Sequence, residues 1–318
     1  MWRLLPVVLF GCAPVRVPDA ERFPQPPRRL ALAVPEPRRL VAVDGVVLAV
    51  HDSAPESSLP VLLGLHAIGH GGGDFAGVEA ALHGSYRVIS VYWPGHGASG
   101  ADVSPASAVR YTTLLEGLVR ALELKQVVLL GNSIGGAVAV RFAALHPELV
   151  RGVILCNPGG MDPGGLLARL FIGHLVSKFH DGAEGHVSFK PWFDEYYRSI
   201  LVTDASAARR KLIVEAGYES ASVLEQAWRS FAQPEADQRA LAASLKMPVL
   251  VAWASRDGLI QWSRNREAIE AIPGVKVVQF EAGHSPFLET PVEFFAAVKP
   301  FLERLRQRDQ GSTAPSAQ

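Results

Sequence analysis

The chain has 318 residues, 48% hydrophobic and 19% charged, with 31 basic and 31 acidic side chains. This neutral balance gives no long-range pull toward nucleic acid, and no nucleic-acid motif appears, so nucleic acid is excluded as the expected partner. Two cysteines, Cys12 and Cys156, exclude a disulfide framework, and the length suffices for a large core.

One positive charge, Arg3, precedes the apolar run Leu4 to Phe10, which is too short to cross a bilayer and has the form of a signal-peptide core. The segment Leu9-Phe10-Gly11-Cys12 resembles the lipobox of bacterial lipoproteins, which implies removal of residues 1–11 as a signal peptide and lipidation of Cys12. The expected location is the bacterial cell envelope, lipid-anchored or periplasmic; a cytoplasmic chain with an inconsequential leader is the alternative. Residues 12–38 are rich in proline and arginine and are expected to form an extended tether between membrane and domain.

Beyond the tether, Leu40 to Val43 and Val46 to Val50 flank Asp44-Gly45, a hairpin signal. Continuously apolar runs follow at Val61 to Leu65, Val88 to Val91, Val127 to Leu130 and Val153 to Cys156, then at Val249 to Trp253 and Val275 to Phe280. Continuous rather than alternating hydrophobicity is expected of strands covered on both faces. Helical patterns lie between or after them, at Ala108 to Leu122, Ile134 to Leu145, Arg264 to Ala271 and Val292 to Arg304. Such alternation predicts an α/β fold. Cys156 ends an apolar run and reads as a small buried hydrophobe.

The rhythm breaks over residues 158–246, which lack a β run and read as a helical cap over the sheet's carboxyl edge. Its Phe171, Phe179, Phe189, Trp192, Phe193, Tyr196 and Tyr197 are expected either to roof a site or to pack the cap's own core. The α/β core then comprises residues 39–157 and 247–305, and the polar residues 306–318 are expected to be a disordered tail.

Gly131-Asn132-Ser133-Ile134-Gly135 fits G-x-S-x-G, with a predicted strand directly before it and a predicted helix directly after. That context exposes a serine on a sharp turn, with helix N–H groups close to its oxygen. A serine needs a base, and His284 lies just past the last strand, at the same sheet edge. The base needs an acceptor to hold its tautomer, and Asp257 follows the penultimate strand within a short loop. Asp162, after an earlier strand, is the rival acid. His66 and His70 are four residues apart but lie on a glycine-rich loop rather than a helix face, so no metal site is expected.

From about Leu40 to Leu305 the chain resembles the α/β-hydrolase superfamily, with chain order Ser133, Asp257, His284. The resemblance implies a mostly parallel eight-stranded sheet flanked by helices, with a helical cap inserted before the penultimate strand. Leu65-His66-Ala67-Ile68-Gly69 is similar to the family's His-Gly-x turn, which implies that backbone N–H groups of Ile68 and Ile134 form an oxyanion hole. Ala67 stands where the family usually has glycine. Pro94-Gly95-His96-Gly97-Ala98-Ser99 is similar to a structural turn of the family, which makes His96 non-catalytic.

The implied activity is hydrolysis of a carboxylic ester, or a similar small acyl substrate, through an acyl-enzyme and without a cofactor. Serine rather than a carboxylate at the nucleophile position excludes epoxide hydrolases and haloalkane dehalogenases. Asn157-Pro158-Gly159-Gly160 is similar to carbon–carbon hydrolases of ring-fission products, although those usually carry an aromatic where Ser285 stands. Acyl transfer or perhydrolysis on the same serine, and an inactive binding module, complete the alternatives.

Overall fold

The computed structural model describes residues 14–29 and 38–312. The predicted signal peptide, residues 1–11, and Cys12 lie outside them. Eight strands form one sheet: β1 (Arg38–Val43), β2 (Val46–Asp52), β3 (Val61–Leu65), β4 (Arg87–Val91), β5 (Val127–Asn132), β6 (Val150–Cys156), β7 (Val249–Ala254) and β8 (Lys276–Phe280). Their order is β1-β2-β4-β3-β5-β6-β7-β8. β2 is antiparallel to both neighbours, and all later pairings are parallel. The β1–β2 turn is left-handed at both Asp44 (φ 46°) and Gly45 (φ 79°), the conformation that Asp-Gly supplies at least cost.

The continuous apolar runs divide by alternate residues between two cores. Leu63, Leu65, Val127 and Leu129 face the helices Ala108–Ala121 and Ile134–Leu145, whereas Leu62, Val128 and Leu130 face the side covered by Ala76–Leu82 and the final helix. Burial on both faces is why these strands show no polar alternation.

Between β6 and β7 the chain forms the cap, with helices Leu166–Ala183, Phe189–Ile200, Ala207–Glu215, Gly217–Ser230 and Arg239–Ala243. Its interior is an aromatic cluster in which Phe179, Phe189, Phe193 and Tyr197 are buried, with Phe189 stacked on Phe193 at 4.9 Å. Most of the aromatics read as a candidate roof therefore pack the cap itself. Phe171 differs, being half-exposed and lining the cavity described below.

Two expectations need correction. Residues 14–29 are not a free extended tether: Arg16 bridges to His186, Val17 N donates to Gly185 O at 2.7 Å, and Val187 N donates to Val15 O at 3.1 Å. Arg22 donates to the Ala183 carbonyl, and the Glu219 carboxylate accepts the backbone N–H of Arg28 at 2.6 Å. Backbone donors and acceptors on the cap compete successfully with water for this arm, which composition alone does not reveal. The predicted tail is also shorter, because the last helix, Pro291–Ser312, runs past Leu305 into residues 306–312. Polar composition does not oppose helix growth from a packed helix, since each added residue forms one more backbone bond.

Candidate active site

The register pairs Leu65 with Gly131 and Asn132 with Cys156, so β3, β5 and β6 end at one edge. Ser133 follows β5 directly and carries φ 56° and ψ −119°, a strained backbone for a residue with a side chain. Its surroundings enforce that turn: Ser133 N donates to Cys156 O at 3.1 Å, and Ser133 O accepts from Ala137 N at 3.0 Å and Gly159 N at 2.9 Å. The flanking glycines have a steric cause. A Cβ on Gly131 would lie 2.4 Å from Gly135 O, and one on Gly135 would lie 2.0 Å from Leu65 O.

His284 and Asp257 meet as the sequence predicts, with His284 Nδ1 2.7 Å from Asp257 Oδ2. The carboxylate is held from three further sides. Asn157 Nδ2 donates to Oδ2 at 2.7 Å, while Leu259 N and Ile260 N donate to Oδ1 at 2.8 and 3.2 Å. Burial pulls the His284 pKa down, but the charge and hydrogen bond of Asp257, joined by the charges of Glu289 and Asp74, leave it raised above 6.5. Asp162, the rival acid, is instead bound to Arg264 through Nε at 2.5 Å and Nη2 at 2.9 Å.

Ser133 is tied to the His284 loop through its neighbour in sequence. Asn132 Nδ2 donates to His284 O and to Cys156 O, each at 2.9 Å, and Asn132 Oδ1 accepts from Ser285 Oγ at 2.7 Å. The Ser133 hydroxyl itself makes no hydrogen bond among the described residues. Behind His284, the buried Glu289 carboxylate accepts five backbone N–H groups, those of Gly283, His284, Ser285, Val202 and Thr203. Sequence reading missed Asn132, Asn157 and Glu289 as positioning groups. A polar residue beside each motif was the only signal, and partners up to 153 positions away made it unreadable.

The loop carrying Ile68 is supported by two buried histidines. His66 Nε2 accepts Trp93 N–H at 3.1 Å, and His96 Nε2 accepts Gly69 N–H at 2.9 Å. Burial holds the His66 pKa well below its ordinary value and lowers that of His96 to about 4, so both are neutral acceptors near pH 7. His96 thus has the structural place expected of it. Ala67 fits because the loop makes its left-handed step at Gly69, with φ 79°. Among the described residues, nothing accepts the N–H of Ile68 or Ile134, which leaves both donors available. His70 bonds to Asp74 at 2.7 Å, and Asp74 also pairs with Arg209 of the cap at 2.5 Å. That ion pair joins the loop to the cap, and the Asp74 carboxyl is lowered far below the usual carboxylate range: burial opposes ionisation, but Arg209 and His70 outweigh it.

Ser133 lines a cavity of about 370 Å³ beneath the cap. Phe171, Ile172, Trp228 and Phe231 of the cap, with Leu259 and Ile260 of the core, supply apolar wall, and Asp162 also lines it. Trp228 and Phe231 were not anticipated as cavity residues, because helical spacing does not tell which cap face turns toward the serine.

Known proteins agree with this architecture. A profile described as the alpha/beta hydrolase family matches residues 61–298. An uncharacterized protein of Mycobacterium bovis is 27% identical over 272 residues, covering 77% of this chain and 75% of its own length. The enol-lactonase of Burkholderia xenovorans superposes with a TM-score of 0.71 at 24% identity, covering 83% of this chain and 100% of its own. A thermophilic esterase of Thermogutta terrifontis gives 0.69 at 24% identity, covering 84% and 98%. Likeness at that identity is a likeness of fold. The family match spans most of the sequence, and this chain belongs to the alpha/beta hydrolase family.

Proposed function

We propose that this hydrolase cleaves carboxylic esters, lactones among them, through an acyl-enzyme on Ser133, with His284 as base and Asp257 orienting it. The observation that carries the reading is the buried 2.7 Å contact between His284 Nδ1 and Asp257 Oδ2, beside a serine held at φ 56°. An acceptor on Nδ1 leaves Nε2 unprotonated in the neutral ring, the form able to take the serine proton. Ser133 Oγ attacks the carbonyl carbon as His284 takes that proton, and the carbonyl π electrons move to oxygen. The N–H groups of Ile68 and Ile134 stabilise the oxyanion. Collapse expels the alcohol, which takes the proton from His284. Water, activated by the same imidazole, then releases the acid and restores the serine.

The similarity to an enol-lactonase and to an esterase supports this reaction class. The apolar wall suits an acyl chain better than a charged substrate. The test is labelling with a fluorophosphonate followed by peptide mapping, alongside hydrolysis of a chain-length series of chromogenic esters. Adduct on Ser133 and ester turnover support the reading; adduct elsewhere, or turnover of ring-fission products alone, overturns it. Cys12 as a lipid anchor is a separate part of the proposal, supported by Leu9-Phe10-Gly11-Cys12. Mass spectrometry of protein from a Gram-negative host tests it, with an intact Met1 or unacylated Cys12 as the negative outcome.

A further inference from the structure

The first turns of the cap helix Leu166–Ala183 leave a cluster of large apolar side chains in water. Leu166 and Leu167 are each 74% exposed, Leu170 62% and Phe171 42%. Other exposed apolar residues, such as Val103 and Val292, are scattered and need no explanation. This cluster adjoins the cavity, which Phe171, Ile172 and Arg169 line. Arg169 is exposed and has no ion-pair partner among the described residues, so a cation stands amid the leucines.

The other end of this helix meets the beginning of the described chain. Glu184 caps this helix eighteen residues after Leu166, which is five full turns, so the two positions lie in line along the axis. Glu184 pairs with Arg16 at 3.1 Å, beside exposed Val15. The arm therefore meets the cap at the carboxyl end of this helix, about 27 Å along the axis from Leu166.

We propose that this face docks on a lipid surface, so that an amphiphilic ester passes from the lipid to the cavity beside Ser133. Three features favour lipid as the occupant: the apolar cluster, the unpaired cation suited to anionic headgroups, and the attachment of the amino-terminal arm at the other end of the same helix. Among the described residues no helix is long and apolar enough to cross a membrane, so the contact is peripheral. A second copy of the chain fits less well, since four side chains fall far short of the roughly 20–30 residues a side of a stable interface. The substrate half of the inference rests on the ester-hydrolase reading, and the docking half does not.

The experiment uses full-length protein carrying Cys12→Ser, so that no acyl chain holds it to lipid, and vesicles of equal parts phosphatidylethanolamine and phosphatidylglycerol, carrying a fluorogenic long-chain ester. The triple variant Leu166→Gln, Leu167→Gln, Leu170→Gln alters residues that do not line the cavity. Hydrolysis of a soluble acetate ester should stay within about twofold of wild type. Vesicle co-sedimentation, and hydrolysis of the embedded ester, should fall by about tenfold or more as the buried apolar area is lost. Unchanged co-sedimentation overturns the proposal. So does a shift from dimer to monomer in lipid-free sedimentation velocity, because the face would then be covered by a second copy. Equal loss on soluble and embedded esters also overturns it. If the wild type cleaves neither ester, the hydrolase reading fails, while co-sedimentation still decides docking.

Discussion

The loops around His284 and the cap above them are built by different physics. Around His284 and Asp257 nearly every buried polar atom has a directed partner: Asn132 spans three loops, Asn157 spans two, and Glu289 collects five backbone N–H groups. The cap is held mainly by stacked aromatics, with the Arg209–Asp74 pair, the Val202 and Thr203 N–H groups on Glu289, the Ala106 N–H on Gln226 and the amino-terminal arm among its polar ties. Directed bonds admit one geometry, which a reacting atom requires, whereas non-directional packing tolerates exchange of side chains of similar volume. On the proposed function, the loops carry the chemistry and the cap sets substrate shape. That contrast is open to attack at several points.

Ser133→Ala should produce the largest effect, a loss of turnover on the order of 10⁶-fold with the fold retained. Burst kinetics and circular dichroism check it, and persistent turnover would place the nucleophile elsewhere. Asp257→Asn should cost about 10⁴-fold in kcat, because an amide can favour the wrong imidazole tautomer. Asp162→Asn, at the Arg264 pair, should cost less than about tenfold, through positioning alone. Equal losses in the two variants would dissolve the distinction between loop acid and rim acid.

Glu289→Gln tests whether positioning in the loops is as strict as the bonding implies. One oxygen becomes an NH₂ facing backbone donors, so about 1–3 kcal/mol of stability should be lost. Turnover should fall by roughly ten- to a hundredfold as His284 shifts. Denaturant unfolding separates the two effects, and a destabilised variant with wild-type kcat would make Glu289 purely structural.

The pH profile sharpens the same point. In the proposed mechanism His284 must be neutral to accept a proton, and its pKa is raised, so the protonated form, inactive in that mechanism, persists to higher pH than for an ordinary histidine. Activity should therefore rise with pH through a midpoint above 6.5. In Asp257→Asn the raising charge is gone while burial remains, so the midpoint of the residual rate should move down. An unmoved midpoint would detach the titration from this pair.

Cap substitutions should have the smallest effect on chemistry. Phe231→Ala or Trp228→Ala should leave kcat for a short ester within about threefold and move the preferred acyl chain length upward, as wall volume is removed. A loss of short-ester kcat comparable to Asp257→Asn would mean that the cap shares in the chemistry and would end the comparison.

Much of the core was legible in sequence because its signals are local. Continuous apolar runs announced strands covered on both faces, Asp44-Gly45 announced the hairpin, and the glycines around Ser133 announced a turn where a Cβ would strike backbone. Each motif residue also sits next to the strand that carries it. The groups that hold them were not legible. Asn132 reaches Ser285 across 153 positions and Asn157 reaches Asp257 across 100, so only chain folding makes them partners.

By itself the sequence determined the alternation of strand and helix, the exposed serine turn, and the acid and histidine available at the same sheet edge. Local backbone preference and hydrophobic period act within a few residues of where they are written. Tertiary structure alone decided that residues 14–29 lie on the cap, that Trp228 and Phe231 wall the cavity, and that the leucines at 166, 167 and 170 remain in water. Those outcomes depend on which faces meet after collapse, a competition among distant apolar surfaces and backbone bonding groups that no local pattern encodes.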